Sequence, residues 1–180
     1  MPETYVALLR GINVGGKNKL PMKDLSAMFV EAKCADVRPF IQSGNIIFCA
    51  SGGVATKLPG LIAAKIHKDF GYAIPVILRT VEQIGAVLRG NPFLEAGAPE
   101  AELYVAFLAD IPSKTRVQDL DPDRSPPDTF EVRGQEIYLR LPNGAARSKL
   151  TNAYFDSKLA TTSTIRNWRT VTKLFELMGG

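Results

Sequence analysis

Residue types that usually carry enzyme chemistry are scarce in this chain of 180 residues, which has one histidine, one tryptophan and two cysteines. The single histidine, His67, lies between Ile66 and Lys68 in an expected helix, so neither a histidine metal cluster nor a Ser-His-Asp triad is supported. Cys34 and Cys49 stand among apolar neighbours, and we interpret them as reduced core thiols rather than as a disulfide or a metal pair. We therefore predict no catalytic residue, no metal site and no cofactor.

Long apolar runs are also missing. No run approaches the roughly 20 residues of a membrane-spanning helix, and the start, Met-Pro-Glu-Thr-Tyr, lacks the basic flank of a signal peptide. Hydrophobic residues nevertheless make up 46% of the sequence, which is enough for a packed core. We expect a folded cytoplasmic protein with no membrane association, and the sequence leaves its oligomeric state open.

Charge is unevenly distributed along the chain, whose net charge is +4. Residues 1–94 carry +5, residues 95–136 carry −6 and residues 137–180 carry +5. Two basic segments separated by an acidic one indicate a surface with a positive face. Ordinary solvated charge explains the pattern equally well.

Apolar runs and turn residues in the first half predict the order β-α-β-β-α-β with a trailing helix. This is the split βαβ order, which is expected to form an antiparallel sheet with both helices on one face. The predicted elements are a strand at 4–10, a helix from Pro21, a hairpin at 36–50 turned by Gln42-Ser43-Gly44-Asn45, a helix ending before Gly71, a strand at 74–78 and a helix at 80–88 capped by Thr80.

The second half repeats this order. Y-V-A-F-L at 104–108 nearly repeats Y-V-A-L-L at 5–9, and R-T-V at 169–171 repeats R-T-V at 79–81. We predict an α+β fold made by internal duplication of a ferredoxin-like βαββαβ unit with a trailing helix, in which helices cover antiparallel sheets. The repeats are assigned to residues 1–98 and 99–180. The further predicted elements are a helix at 113–120, a hairpin with arms at 130–133 and 136–141 around Gly134-Gln135, a helix at 148–159 and a last helix from Arg169.

The two copies differ at two elements. After the first strand, copy one has R-G-I-N-V-G-G-K-N-K at 10–19, whereas copy two has the acidic A-D-I-P-S-K at 109–114. As fourth strand, copy one has I-P-V-I-L at 74–78, whereas copy two has T-T-S-T-I-R-N-W at 161–168, which is too polar to serve as a buried strand in the same way. We hypothesise that the two polar elements lie on one surface and bind one anionic ligand.

The glycine-rich loop has the chemistry of an anion site. Gly11, Gly15 and Gly16 permit positive φ and close backbone approach, so N–H groups can point at a ligand. Lys17 and Lys19 add positive charge, and the N-terminus of the following helix favours negative charge. The spacing fits neither a Walker loop nor the dinucleotide fingerprint. A plain glycine-rich turn with surface lysines is the alternative.

The single tryptophan, Trp168, is flanked by Arg166, Asn167 and Arg169. An exposed tryptophan between arginines suits stacking on a base while the guanidinium groups bind phosphate. The alternative is a tryptophan packed against the last helix. The complete predicted ligand-binding set is Arg10, Gly11, Asn13, Gly15, Gly16, Lys17, Asn18, Lys19, Gln42, Ser43, Asn45, Lys149, Asn152, Arg166, Asn167, Trp168 and Arg169.

Three functions are compatible with these residues. The leading one is a binding module for a phosphate-bearing ligand, either a nucleotide or a single-stranded nucleic acid. The second is an enzyme acting on a phosphorylated small molecule, for which the sequence offers no acid or base candidate. The third is a structural or oligomerising protein whose polar segments bind each other.

Five segments together resemble one protein family. They are R-G-I-N-V-G-G-K-N-K at 10–19, Q-S-G-N-I-I-F at 42–48, N-P-F at 91–93, S-K-L-T-N at 148–152 and R-N-W-R-T-V-T-K-L at 166–174. The chain resembles, over about residues 4–178, the domain-of-unknown-function (DUF) family number sixteen ninety-seven. The resemblance implies a compact, duplicated, ferredoxin-like α+β protein and brings no activity. The resemblance leads us to expect a second threonine directly before Arg-Asn-Trp, but this chain has Ile165 there. Position 165 therefore offers no hydroxyl group to a ligand.

Overall fold

The structure, a computed structural model, describes all 180 residues and has an α+β architecture with two four-stranded antiparallel sheets. The chain forms two compact units, Met1–Gly85 with Leu174–Gly180, and Ala86–Lys173. These bounds differ from the predicted repeat boundary after residue 98, because each trailing helix begins in one unit and ends in the other. None of the helices combines the length and the apolar character needed to cross a membrane.

The first sheet follows the predicted order of elements, with its strands arranged β2-β3-β1-β4. Two predicted helix boundaries are confirmed. Thr80 Oγ1 accepts from the backbone N–H of Gln83 at 3.2 Å, and Gln83 Oε1 accepts in return from Thr80 N at 2.9 Å. Gly71, at φ +75°, ends the long helix. The elements are β1 Glu3–Leu9, α1 Met22–Glu31, β2 Ala35–Phe40, β3 Asn45–Ala50, α2 Gly52–Phe70, β4 Val76–Thr80 and α3 Val81–Arg89.

The second sheet has the equivalent order, β6-β7-β5-β8. The helix predicted at 148–159 begins only at Asn152, because Thr151 Oγ1 accepts from Tyr154 N at 3.2 Å and caps it there. The elements are α4 Pro92–Glu95, β5 Leu103–Leu108, α5 Lys114–Gln118, β6 Thr129–Arg133, β7 Glu136–Arg140, α6 Asn152–Leu159, β8 Ser163–Asn167 and α7 Trp168–Leu177.

The polar run of the second half forms a buried strand after all. Ser163 and Thr164 of β8 are fully buried, and β8 pairs with β5 along its length. Asp156 Oδ1 on α6 accepts from both the backbone N–H and the hydroxyl of Ser163, each at 2.7 Å. Arg166 Nη1 donates to Thr164 Oγ1 at 2.8 Å. Side-chain partners therefore let polar residues occupy a strand whose counterpart is apolar.

The central strands β1 and β5 are buried on both faces. In β1, Ala7 and Leu9 join the core with α1 and α2, while Val6 and Leu8 on the opposite face are also completely buried. The rings of Phe29 and Phe48 lie 5.2 Å apart in the first core, and Phe155 is fully buried in the second. Burial of both faces explains why the central strands read as continuous apolar runs rather than as alternating patterns.

The two cysteines are free thiols. Cys34 is buried, and burial raises its pKa to about 11. The reactive thiolate of Cys34 is therefore scarce at neutral pH. Cys49 is only partly buried, so the prediction of two core thiols holds fully for Cys34 alone.

Candidate functional site

The loop after β1 contains a small projecting hairpin, residues 13–18, which we call the finger. Asn13 N donates to Asn18 O at 3.2 Å, and Lys17 N donates to Val14 O at 3.0 Å. At its tip Gly15 and Gly16 have φ values of +58° and +73°, as a two-residue type I′ turn requires. The whole tip is exposed to solvent, and the two glycines have no hydrogen-bond partner within the chain. Their N–H groups are thus available to a ligand.

The amide of Asn13 anchors the finger. Asn13 Nδ2 donates to Leu20 O at 2.8 Å and to Gln42 O at 3.0 Å, and Asn13 Oδ1 accepts from Leu20 N at 2.8 Å. Asn18 Nδ2 donates to Gly11 O at 2.9 Å. Both asparagines have positive φ, which asparagine tolerates better than most residues. Their amide groups, predicted to contact a ligand, instead hold the loop in shape.

The turn between β2 and β3 packs against this loop, so two of the predicted segments meet. Leu9 N donates to Gly44 O at 2.8 Å, and Gly44 is buried with φ +80°. Asn45, predicted to bind a ligand, is completely buried and donates to Phe40 O at 3.3 Å and to Ser43 Oγ at 3.2 Å. Of the predicted residues in this turn, Gln42 has an exposed side chain.

The same turn holds a strained residue. Ile41 has φ +52° and is exposed. A β-branched residue at positive φ is a genuine outlier, and such strain concentrates at functional sites. The equivalent turn of the second sheet is the two-residue Gly134-Gln135, in which only the glycine has positive φ. Both enlarged loops of the first unit thus lie side by side, and both depart from their counterparts.

The finger and its flanks are uniformly positive. Positions 10–23 hold Arg10, Lys17, Lys19 and Lys23 and no acidic residue. Lys17 and Lys19 are exposed, and neither ammonium group has an ion-pair partner. Helix α1 follows without a side-chain cap on its first turn, so its N–H groups add to the positive potential.

The predicted ligand-binding residues at positions 166–169 lie in the second unit, and most of them stabilise the fold. Trp168 is 3% exposed, so the predicted stacking on a base is wrong. Asn167 Oδ1 accepts from Thr170 N at 2.8 Å and caps α7. Arg166 is buried, which lowers its pKa to about 10 and leaves it charged at neutral pH. Asn167 and Arg169 are exposed, and of the two Arg169 carries the positive charge.

Lys149 and Asn152 also belong to the second unit. The backbone N–H of Lys149 donates to Ser125 Oγ at 3.0 Å, and its side chain is exposed. Asn152 Oδ1 accepts from Ser163 Oγ at 3.0 Å and thereby supports β8. That the predicted residues of the second unit share one surface with the glycine-rich loop stays a prediction.

Two buried arginines occupy equivalent positions and were not singled out from the sequence as a pair. Arg79 of β4 is paired with Val6 of β1, and Arg166 of β8 with Val105 of β5. Each Nη1 donates to the carbonyl of the preceding residue, at 2.9 and 3.0 Å. The sequence comparison matched Arg79 with Arg169 through their R-T-V segments, whereas the strand pairing shows that Arg166 is the counterpart of Arg79. No group of three or more His, Cys, Asp or Glu residues could hold a metal ion.

Trp168 provides a direct test of its burial. Because its indole is enclosed, we expect blue-shifted tryptophan fluorescence in the native protein and weak quenching by iodide compared with the urea-unfolded protein. The chain has no other tryptophan, so the signal reports this site alone. Emission near that of free tryptophan with full quenching would contradict the burial.

Comparisons with known proteins agree with this fold. A family model described as a protein of unknown function, DUF1697, matches residues 2–138. The solved structure of the conserved bacterial protein SP0830 from Streptococcus pneumoniae is similar, with a TM-score of 0.69 and 21% identity over 99% of each chain. At that identity the likeness concerns the fold alone. No curated protein matches the chain.

Proposed function

We propose a ligand-binding function for this chain, which belongs to the DUF1697 family of proteins of unknown function, as its motifs predicted. The finger binds the phosphate groups of a nucleotide or of a single-stranded nucleic acid. The observation that carries this proposal is the exposed finger with its basic flanks, where the ammonium groups of Lys17 and Lys19 have no ion-pair partner.

Three features favour phosphate as the ligand chemistry. Lys17 and Lys19 supply unpaired cations, and Gly15 and Gly16 supply free backbone N–H groups at the tip. No carboxylate lies between residues 10 and 23 to repel an anion. The uncapped start of α1 adds partial positive charge close in sequence.

The form of the finger favours a polyanion over an isolated small molecule. An exposed tip reaches outward and can lie along a phosphate backbone, where each lysine neutralises about one phosphate. Because Trp168 is buried, we assign it no stacking role, and the proposed binding rests on phosphate contacts. Phosphate contacts position a nucleic acid without reading its bases, so we expect little sequence preference.

We also propose that the chain arose by duplication of a ferredoxin-like unit and that it acts in the cytoplasm. The equal strand orders of the two sheets support the duplication, and so do the buried arginines Arg79 and Arg166 at equivalent positions. The two free thiols suit a reducing compartment.

Removal of Lys17 in the finger and of Lys19 directly after it tests the phosphate site. We expect Lys17→Ala with Lys19→Ala to weaken binding of a labelled single-stranded oligonucleotide at low salt. The slope of log K against log salt should become about 1.4 less steep, since two phosphate contacts are lost. Fluorescence anisotropy at several salt concentrations measures both quantities.

The matched control removes two lysines from helix α2 of the same unit. Lys57→Ala with Lys68→Ala deletes the same charge from exposed positions that are not part of the finger. Its affinity and salt slope should stay close to those of the unchanged protein. An equal loss in both double variants would mean that net charge, rather than the finger, attracts the ligand.

A further inference from the structure

Strand β6 leaves one regular sheet edge open. The other three edges are each interrupted. β2 has a register shift, a positive φ at Asp36 and Pro39 without an N–H group. In β4 and β8 an arginine side chain donates a hydrogen bond to a backbone carbonyl of its own strand. β6, Thr129–Arg133, pairs without a bulge along its whole length and contains neither proline nor glycine.

The backbone groups that face outward from β6 follow from its turn. Arg133 and Glu136 flank a two-residue hairpin turn, and the residues that flank such a turn form a hydrogen-bonded pair. Alternation along the ladder then directs the N–H and C=O groups of Phe130 and Val132 away from β7. Neither residue has a backbone hydrogen-bond partner on that side.

The side chains of β6 make this edge complementary to itself. Glu131 and Arg133 share one face of the strand and form an ion pair of 2.7 Å across partly exposed side chains. If two copies of β6 pair antiparallel about a twofold axis at Val132, each Glu131 lies opposite Arg133 of the partner subunit. Opposite charges directly across an antiparallel pair stabilise it, whereas parallel in-register pairing would place like charges together.

We propose that two copies of this chain associate through their β6 edges to form an antiparallel, eight-stranded sheet. The Val132 residues of the two copies exchange backbone hydrogen bonds at the twofold axis, and the Glu131–Arg133 pairs set the register. The interface is isologous, as closed dimers require. It is independent of the finger and of the proposed ligand.

Charge reversal tests the register. We expect sedimentation equilibrium between about 1 µM and about 1 mM to show reversible dimer formation. Arg133→Glu should weaken the dimer at least about tenfold, because it places two carboxylates opposite each other at both ends of the pair. Exchanging both charges, Glu131→Arg with Arg133→Glu, should restore most of the affinity. Arg147→Glu, at an exposed arginine outside the strand, serves as the control and should leave the dimer unchanged.

Hydrogen exchange locates the contact. The amides of Phe130 and Val132 should exchange more slowly as protein concentration rises, while the exposed glycine amides at the finger tip should not change. A monomer at every concentration would overturn the proposal. A dimer that tolerates Arg133→Glu and leaves these two amides unprotected would overturn it equally, because its interface would lie elsewhere.

Discussion

The substitution Gly44→Ala is expected to lower the free energy of unfolding by about 3 kcal/mol, because steric overlap and left-handed backbone strain act together. A Cβ atom at Gly44 would lie 3.0 Å from Leu9 O, from Leu9 Cβ and from Ile12 Cγ1. These neighbours are completely buried and cannot move aside easily. The backbone at Gly44 also has φ +80°, where an L-residue is disfavoured.

Gly15→Ala is the matched control for this effect. Gly15 has φ +58° but nothing within 4 Å of its added Cβ, so its substitution measures the cost of the left-handed backbone without steric overlap. Its expected cost is about 1 kcal/mol. Urea denaturation followed by circular dichroism measures both variants. Equal losses in the two proteins would show that packing at Gly44 adds nothing to the conformational cost.

Much of the secondary structure could be predicted because its signals are local. The turn at Gly134-Gln135, the cap at Thr80 and the helix end at Gly71 each depend on residues within a few positions. Element order follows from the same signals, and apart from the short helix α4, which was not predicted, the order of helices and strands is correct through both halves. The family was also predicted correctly from its motifs.

The predictions that failed concern burial. Trp168 and Arg166 were assigned to a ligand-binding surface, yet both are buried, and hydrogen bonds within the fold satisfy the buried polar groups around them. Asp156 reaches Ser163 from a neighbouring helix, and Arg166 binds its own strand. Polarity in a sequence indicates a need for hydrogen bonds and does not say whether water or protein supplies them.

The structural role of the loop asparagine Asn13 also could not be predicted from the sequence, because one of its partners is distant in the chain. Asn13 contacts Gln42 O, 29 residues away in sequence, and only the pairing of β1 with β3 brings the two together. The sequence therefore predicted the correct segments, 10–19 and 42–45, but assigned their amides to a ligand. Within those segments the exposed residues remain candidates for binding, and the asparagines whose amides hydrogen-bond within the chain act as positioning residues.

Asn13→Ala is expected to destabilise the protein by about 3 kcal/mol, since three hydrogen bonds of about 1 kcal/mol each are lost. The loss is large because Leu20 is completely buried, so its N–H and C=O groups are left without their partner. Asn13 also has φ +54°, which alanine adopts less readily. Thermal and urea denaturation measure the effect.

Asn18→Ala provides the comparison within the same finger. Asn18 has a similar backbone, φ +47°, but donates a single bond, to the exposed Gly11. About 1 to 2 kcal/mol is expected there.

Comparison of Asn13→Ala with the lysine double variant also separates the effect of loop shape from the effect of charge on ligand binding. Asn13→Ala keeps both lysines but releases the finger from Gln42 and Leu20, so binding must then order the loop. We expect weaker oligonucleotide binding with an unchanged salt slope, in contrast to the lysine double variant, whose slope falls. An Asn13→Ala protein that is folded and binds with full affinity would show that the finger needs its charge but not its anchored shape.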